Sequence, residues 1–288
     1  ESLLACQWYK STTLQWYVCN ATLSDLCADS KMIGGVACWS ALNASPEMLM
    51  QYRYTGKNGN YKWEKTRRDA TFFTKGAYYD YICIADGGYT YESGYAPIKK
   101  GVVGGPDDDN DGYVAMMCSP LNTYIMRLAD VYLIYTEACL GNNESLSGED
   151  LQYFNAVRRR AGIDEVSSIT LDDIIRERRV EFSMEHINWY SMVEWFKWKP
   201  EKMLEYFNNQ YRGYTYNEVQ VGSNNELSFY HNPDNDYETV TDTDFGEIVQ
   251  PDVTPVITSD NIFLPYPEAD VIQNPYLKQE PQHYNFSE

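Results

Sequence analysis

A mainly α-helical fold with a loop-rich lobe is what this sequence predicts, from three observations. Residues 124–198 carry sustained helical periodicity with matching caps. The helices there come in successive segments joined by polar connectors, as in helical hairpins. On either side the periodicity is lost, and aromatic residues, glycine and Asn-Gly turns take over, which calls for an irregular lobe with short β-hairpins.

Taken in order, residues 1–45 place Leu3, Leu4, Trp8, Leu14, Trp16, Tyr17 and Leu23 around nearly all sides of any helix, so one or two helices covered by neighbours are expected. Pro46 breaks that pattern, and residues 47–54 read as a strand or extended segment. Asn58-Gly59-Asn60 is a turn signal between two extended arms. From 61 to 95 aromatics crowd without alternation, and Ile98-Lys99-Lys100 reads as a short returning strand. The first long helix is expected from Ile125, Leu128, Ala129, Tyr132, Leu133 and Tyr135 or Thr136, ending at Gly141. Leu151, Phe154, Val157, Arg158 and Ala161 define a second, closed by Gly162 as a left-handed cap. Thr170 and Asp173 form a capping box for a third, whose Leu171, Ile174, Ile175, Arg178 and Phe182 share one face. A fourth runs from Trp189 to Trp198 and stops at Pro200, with a short helix after it. Residues 208–258 turn polar, with extended pieces at 227–230, and a helical step is expected at 268–272. The segments are thus 1–45 (helical), 46–123 (aromatic-rich lobe), 124–207 (helical scaffold) and 208–288 (insertion and tail), in one compact domain.

A formal charge of −19 excludes nucleic acid as a partner, because a phosphate backbone is bound by lysine and arginine. No apolar run reaches the ~18 to 20 residues of a membrane-spanning helix. The seven cysteines show no metal spacing and read mostly as small buried apolar residues. Arg127, Asp130, Glu137, Arg158, Arg160, Glu177, Arg178, Arg179, Glu181 and Glu185 are too charged for a dry core, and pairing among them would hold helices in register. Carboxylates beside arginines are poor candidates for general acid and base, which require two carboxyls with pKa values pushed apart.

The 26 Tyr and 7 Trp suit both a core and stacking surfaces for sugars or peptides, since each ring joins apolar area to a polar tip. Aromatics on loops are the better platforms, and the candidate ligand-binding residues are Trp63, Tyr78, Tyr79, Tyr81, Tyr89 and Tyr91. Asp107, Asp109 and Asp111, followed by Gly112, imitate the first half of a calcium loop, although Cys118 stands where a bidentate glutamate would close it. Calcium is the candidate cation; no cofactor is required.

RLADVYLIYTEA, FNAVRRRAGI, ERRVEF and NWYSMVEW, with the closing NIFLPYPEADVIQNPYLKQEPQHY, resemble the successive signatures of the SusD/RagB family of surface nutrient-binding proteins. The sequence departs from the family around Trp189, where Asn188, Ser191 and Glu194 replace its usual charged residues. The resemblance implies a SusD-like fold with tetratricopeptide-like hairpins, and a non-catalytic protein that captures an oligosaccharide or, less often, a peptide. It implies delivery to a SusC-like TonB-dependent transporter on the extracellular face of the outer membrane. Attachment would be through a lipid anchor upstream of this chain, and a large N-terminal helical part would precede it. The competing readings are a helical-repeat adaptor or structural lid without its own ligand, and a glycosidase.

Overall fold

Side-chain caps at Ser45 and Thr170 open two of the helices, and antiparallel pairing sets the short hairpins. The computed structural model describes residues 1–9, 42–102, 104, 107–108, 119–210, 215–231, 238–240, 254 and 256–279. In chain order the elements are β1 (Ser2–Cys6), α1 (Pro46–Met50), β2 (Arg53–Thr55), β3 (Tyr61–Trp63), α2 (Thr66–Thr71), β4 (Tyr78–Tyr79) and β5 (Tyr89–Thr90). There follow β6 (Thr123–Arg127), α3 (Leu128–Leu140), β7 (Leu146–Ser147), α4 (Gln152–Arg160), β8 (Ser168–Ile169) and α5 (Leu171–Glu181). The last are α6 (Asn188–Trp198), α7 (Pro200–Asn208), β9 (Glu218–Val221), β10 (Leu227–His231), β11 (Glu238–Val240) and α8 (Glu268–Gln273). The architecture is mainly helical with short antiparallel hairpins, as the sequence predicts.

The chain divides into two compact units, Glu1–Ser191 with Tyr211–Asp252, and Met192–Gln210 with Val253–Glu288. In the first, α3, α4 and α5 pack on one another. The apolar stripes read from the sequence are the buried ones: Leu151, Phe154, Val157, Arg158 and Ala161 on and beside α4, and Leu171, Ile174, Ile175, Arg178 and Phe182 on and beside α5. Each large apolar side chain so buried contributes roughly 1.5–3 kcal/mol. Asp173 accepts the Thr170 backbone N–H at 2.8 Å, completing the capping box. Gly162 takes φ +74, the left-handed conformation its position after α4 requires.

Three expectations are corrected. Residues 47–54 are not wholly extended: Ser45 Oγ accepts the Met48 N–H at 3.2 Å and Pro46 sits in the first turn, so α1 forms before β2 begins. Residues 124–127 are strand, not helix, and pair antiparallel with β1, itself expected to be helical. The ladder satisfies the backbones of both segments, and α3 starts at Leu128. As expected, α6 stops before Pro200 and a short helix, α7, follows; Pro200 sits in its first turn, where the missing N–H costs nothing. Among the described cysteines, Cys6 is exposed and Cys83 and Cys139 are half-buried; the other four lie outside the described residues.

The β2–β3 hairpin turns on Asn58-Gly59-Asn60, with Gly59 at φ +79. Strands β11, β10 and β9 form one antiparallel sheet in that order. Its Val219, Leu227 and Phe229 join Met48, Leu49, Tyr52, Phe72, Ile98 and Val180 in one core, tying the sheet to α1, α2 and α5. A separate small core gathers Phe73, Ala77, Tyr79, Ile82 and Tyr91 beneath the β4–β5 hairpin. In the second unit Asn208 makes a two-bond clamp with the backbone of Ile257, at 2.9 and 2.8 Å, and Phe196 meets Phe263 edge to face.

Candidate ligand-binding site

The six aromatic candidates do not form one surface. Strand alternation sorts those near β4 and β5: Tyr79 and Tyr91 point inward, 3% and 4% exposed, with ring centroids 5.1 and 5.3 Å from Phe73. They are core residues and present no ring face to a ligand. Tyr89 is half-buried, 6.2 Å from the same phenylalanine. Tyr78 and Tyr81 are exposed. The Tyr78 hydroxyl donates to the Gly87 carbonyl at 2.6 Å and lies across Gly88, where a Cβ would come within 2.2 Å of the tyrosine oxygen. With φ +106 as well, Gly88 is required by the ring above it.

Lys99 reaches under this hairpin. Its ammonium lies 5.0 Å from the Tyr79 ring and 4.7 Å from the Tyr81 ring and contacts the Tyr81 hydroxyl. Burial pushes the amine down to about 8, against the pull of Asp69.

Among the described residues of the first unit, two cavities bear on the site. One, of about 700 Å³, has a charged floor of Arg67, Lys100, Arg127, Arg160, Glu181 and Glu185 beneath an apolar wall that includes Trp8, Leu121 and Met184. The floor is a closed ion network. Glu177, fully buried, accepts from Arg67 at 2.6 Å and from Arg158 at 3.1 Å, and Arg67 also pairs with Glu64 and Glu181. Arg127 holds Glu181 at 3.0 Å and Glu185 at 2.7 Å. Arg178 and Arg179 reach Asp130 and Glu47 at 2.7 and 2.9 Å. Burial alone would raise the Glu181 carboxyl, but Arg67, Arg160 and Arg127 hold it down at about 2. Burial lowers the Lys100 amine despite Glu185 beside it. The predicted charged residues therefore do lock elements together, but largely across the fold. The sequence reading missed Arg67 and Glu64, which come from α2 and the turn before it.

The other cavity, about 640 Å³, lies between two hairpins: Tyr54, Tyr61, Lys62 and Trp63 of β2–β3 face Asn224, Glu226, Leu227 and Ser228 of β9–β10. Trp63, the remaining predicted residue, is here, half-buried and packed on the core. Tyr54, Tyr61, Asn224 and Glu226 are additions to the predicted set. The alternation Tyr61-x-Trp63 after an Asn-Gly turn was the available signal for Tyr61; nothing local ties residues 224–226 to it.

Asp109 and Asp111 of the acidic loop lie outside the described residues. Asp107 is exposed, and the buried Asp108 accepts the Ile84 N–H at 2.8 Å.

Helices tied by buried ion pairs, with rings carried on separate hairpins, make up the first unit. The chain belongs to the SusD family, whose model matches residues 34–283. A SusD-like protein of Bacteroides ovatus is 56% identical over 293 residues, which take in 100% of this chain and 51% of the relative. Two crystal structures, one with xylogluco-oligosaccharide, match at 55% identity and TM-score 0.85, covering 100% of this chain and 55% of theirs. The chain thus spans about half the length of the curated relative it matches.

Proposed function

We propose that this chain captures a neutral oligosaccharide, less readily a peptide, on the extracellular face of the outer membrane and delivers it to a SusC-like TonB-dependent transporter. The observation that carries the reading is the identity of 55% along the whole chain to a structure with xylogluco-oligosaccharide. Exposed Tyr78 and Tyr81 and half-buried Trp63 supply ring faces of the kind that stack on pyranoses. Attachment to the membrane would be through an upstream lipid anchor.

In this reading the protein does no chemistry on its ligand, and its best-paired carboxylate is no general acid. Glu181 stays ionised to about pH 2 among three arginines, whereas a general acid keeps its proton near neutrality. A second reading, a lid or adaptor without its own ligand, is favoured by the apolar side chains left exposed in sequence, Tyr124, Ile125 and Met126 on β6 and Val131, Ile134 and Tyr135 on α3. Affinity electrophoresis through gels containing xyloglucan or laminarin, run beside capture of the transporter, separates the two. Retardation by a neutral glycan supports the proposal; transporter capture without any retardation contradicts it in favour of the lid.

A further inference from the structure

We infer that the cleft between the β2–β3 and β9–β10 hairpins is a built binding site for neutral pyranose residues. This rests on the glycan-binding reading and assigns it a place. At about 640 Å³ the cleft is within the roughly 300–1,000 Å³ typical of small-ligand sites.

One wall offers rings. Trp63 is fixed by packing on the core beneath it. Tyr61 is 66% exposed, and the Arg53 guanidinium lies 4.5 Å from its ring centroid, covering one face and leaving the other to solvent. A pyranose presents an apolar C–H face to such rings and hydroxyls at its edge. The facing wall supplies what those hydroxyls need: the Asn224 side-chain amide, the Glu226 carboxylate and the Ser228 hydroxyl. Glu226 is held in place by accepting the Asn224 backbone N–H at 2.8 Å.

Both walls are tied down from distant parts of the chain. Asp164 accepts from the Lys62 ammonium at 2.8 Å and from the Lys57 N–H at 3.2 Å, holding the β2–β3 hairpin. Arg68, fully buried, donates to the Asn225 carbonyl at 2.5 Å and pins the β9–β10 turn. A cleft whose sides are fixed before the ligand arrives loses little ordering entropy on binding.

Charge selects the class of sugar. Lys62 is paired with Asp164 and the Arg53 guanidinium lies over Tyr61, so the discrimination comes from the Glu226 carboxylate in the cleft and from a chain of net charge −19. Uronic-acid glycans are repelled and neutral ones are not.

The test is calorimetric titration of xylogluco-oligosaccharide, cello-oligosaccharide and oligogalacturonide into wild type, Tyr61→Ala and Glu226→Gln. Tyr61 is exposed, so its truncation leaves the fold intact, as circular dichroism would verify. The expected result is binding of neutral glycans only, weakened about tenfold in Tyr61→Ala and about threefold in Glu226→Gln. Wild-type affinity in both variants overturns the cleft while leaving the glycan reading standing. No binding of either neutral glycan by wild type overturns both. Oligogalacturonide bound as tightly as the neutral glycans overturns the charge selection.

Discussion

The ion-locked helices and the ring-bearing hairpins solve the same problem by opposite chemistry. Around α2, α4 and α5, buried arginines and glutamates pair with one another, so position is specified by charge pairing between elements, in the case of Arg67 more than a hundred residues from its partners Glu177 and Glu181. Beneath β4–β5, the small core is aromatic, with Phe73 at its centre and Tyr79 and Tyr91 against it. Charge pairing gives a rigid frame whose carboxylates are held by arginines rather than turned to a ligand. Ring packing leaves alternate strand residues, such as Tyr78, facing outward. The difference assigns stability to the first region, while the proposed binding cleft lies on two other hairpins, β2–β3 and β9–β10.

The largest effect that would break this division is expected at Glu177. Glu177→Ala removes the carboxylate shared by the buried Arg67 and Arg158, at a cost of about 3–5 kcal/mol in urea unfolding. A loss below about 1 kcal/mol would show that the network is decorative. The acid limb sharpens the same point. The Glu181 carboxyl lies at about 2 when folded against 4.5 unfolded, so its stabilisation is complete above pH 4.5 and is lost as pH falls towards 2. Glu181→Gln should flatten that limb of the stability curve; an unchanged limb would mean that the carboxylate does not contribute.

Smaller effects are expected in the aromatic lobe. Phe73→Leu removes the ring shared by Tyr79 and Tyr91 and should cost about 1–1.5 kcal/mol. The Lys99 amine lies at about 8 when folded against 10.5 unfolded. Its buried charge therefore destabilises below pH 8, and the penalty is relieved as pH rises from 8 to 10.5. The stability of wild type relative to Lys99→Met should rise across that window; a difference independent of pH would contradict the burial argument.

How much of this was legible follows from the range of the forces involved. Helices α4 and α5 could be read residue by residue, because Phe154, Val157, Ile174 and Ile175 follow a 3.6-residue period and Thr170 caps locally. The start of α3 could not, because β6 owes its strand to β1 more than a hundred residues away. The charged residues were recognised as structural, but Arg67 was missed, since its partners Glu177 and Glu181 come from another helix. Among the aromatics, Tyr79 and Tyr91 look like Tyr78 in sequence; only the short β4–β5 pairing, Tyr78 with Thr90 and Tyr79 with Tyr89, decides which face the core. The residues brought opposite Trp63, Asn224 and Glu226, are separated from it by some 160 positions and carry no local mark.

The division between frame and platform is tested most directly by one calorimetric comparison at pH 7: xylogluco-oligosaccharide titrated into Glu181→Gln and into Tyr61→Ala, both verified as folded. The account predicts wild-type affinity for the first and about tenfold weaker binding for the second. Weakened binding in Glu181→Gln with full affinity in Tyr61→Ala would place recognition on the helices and contradict it.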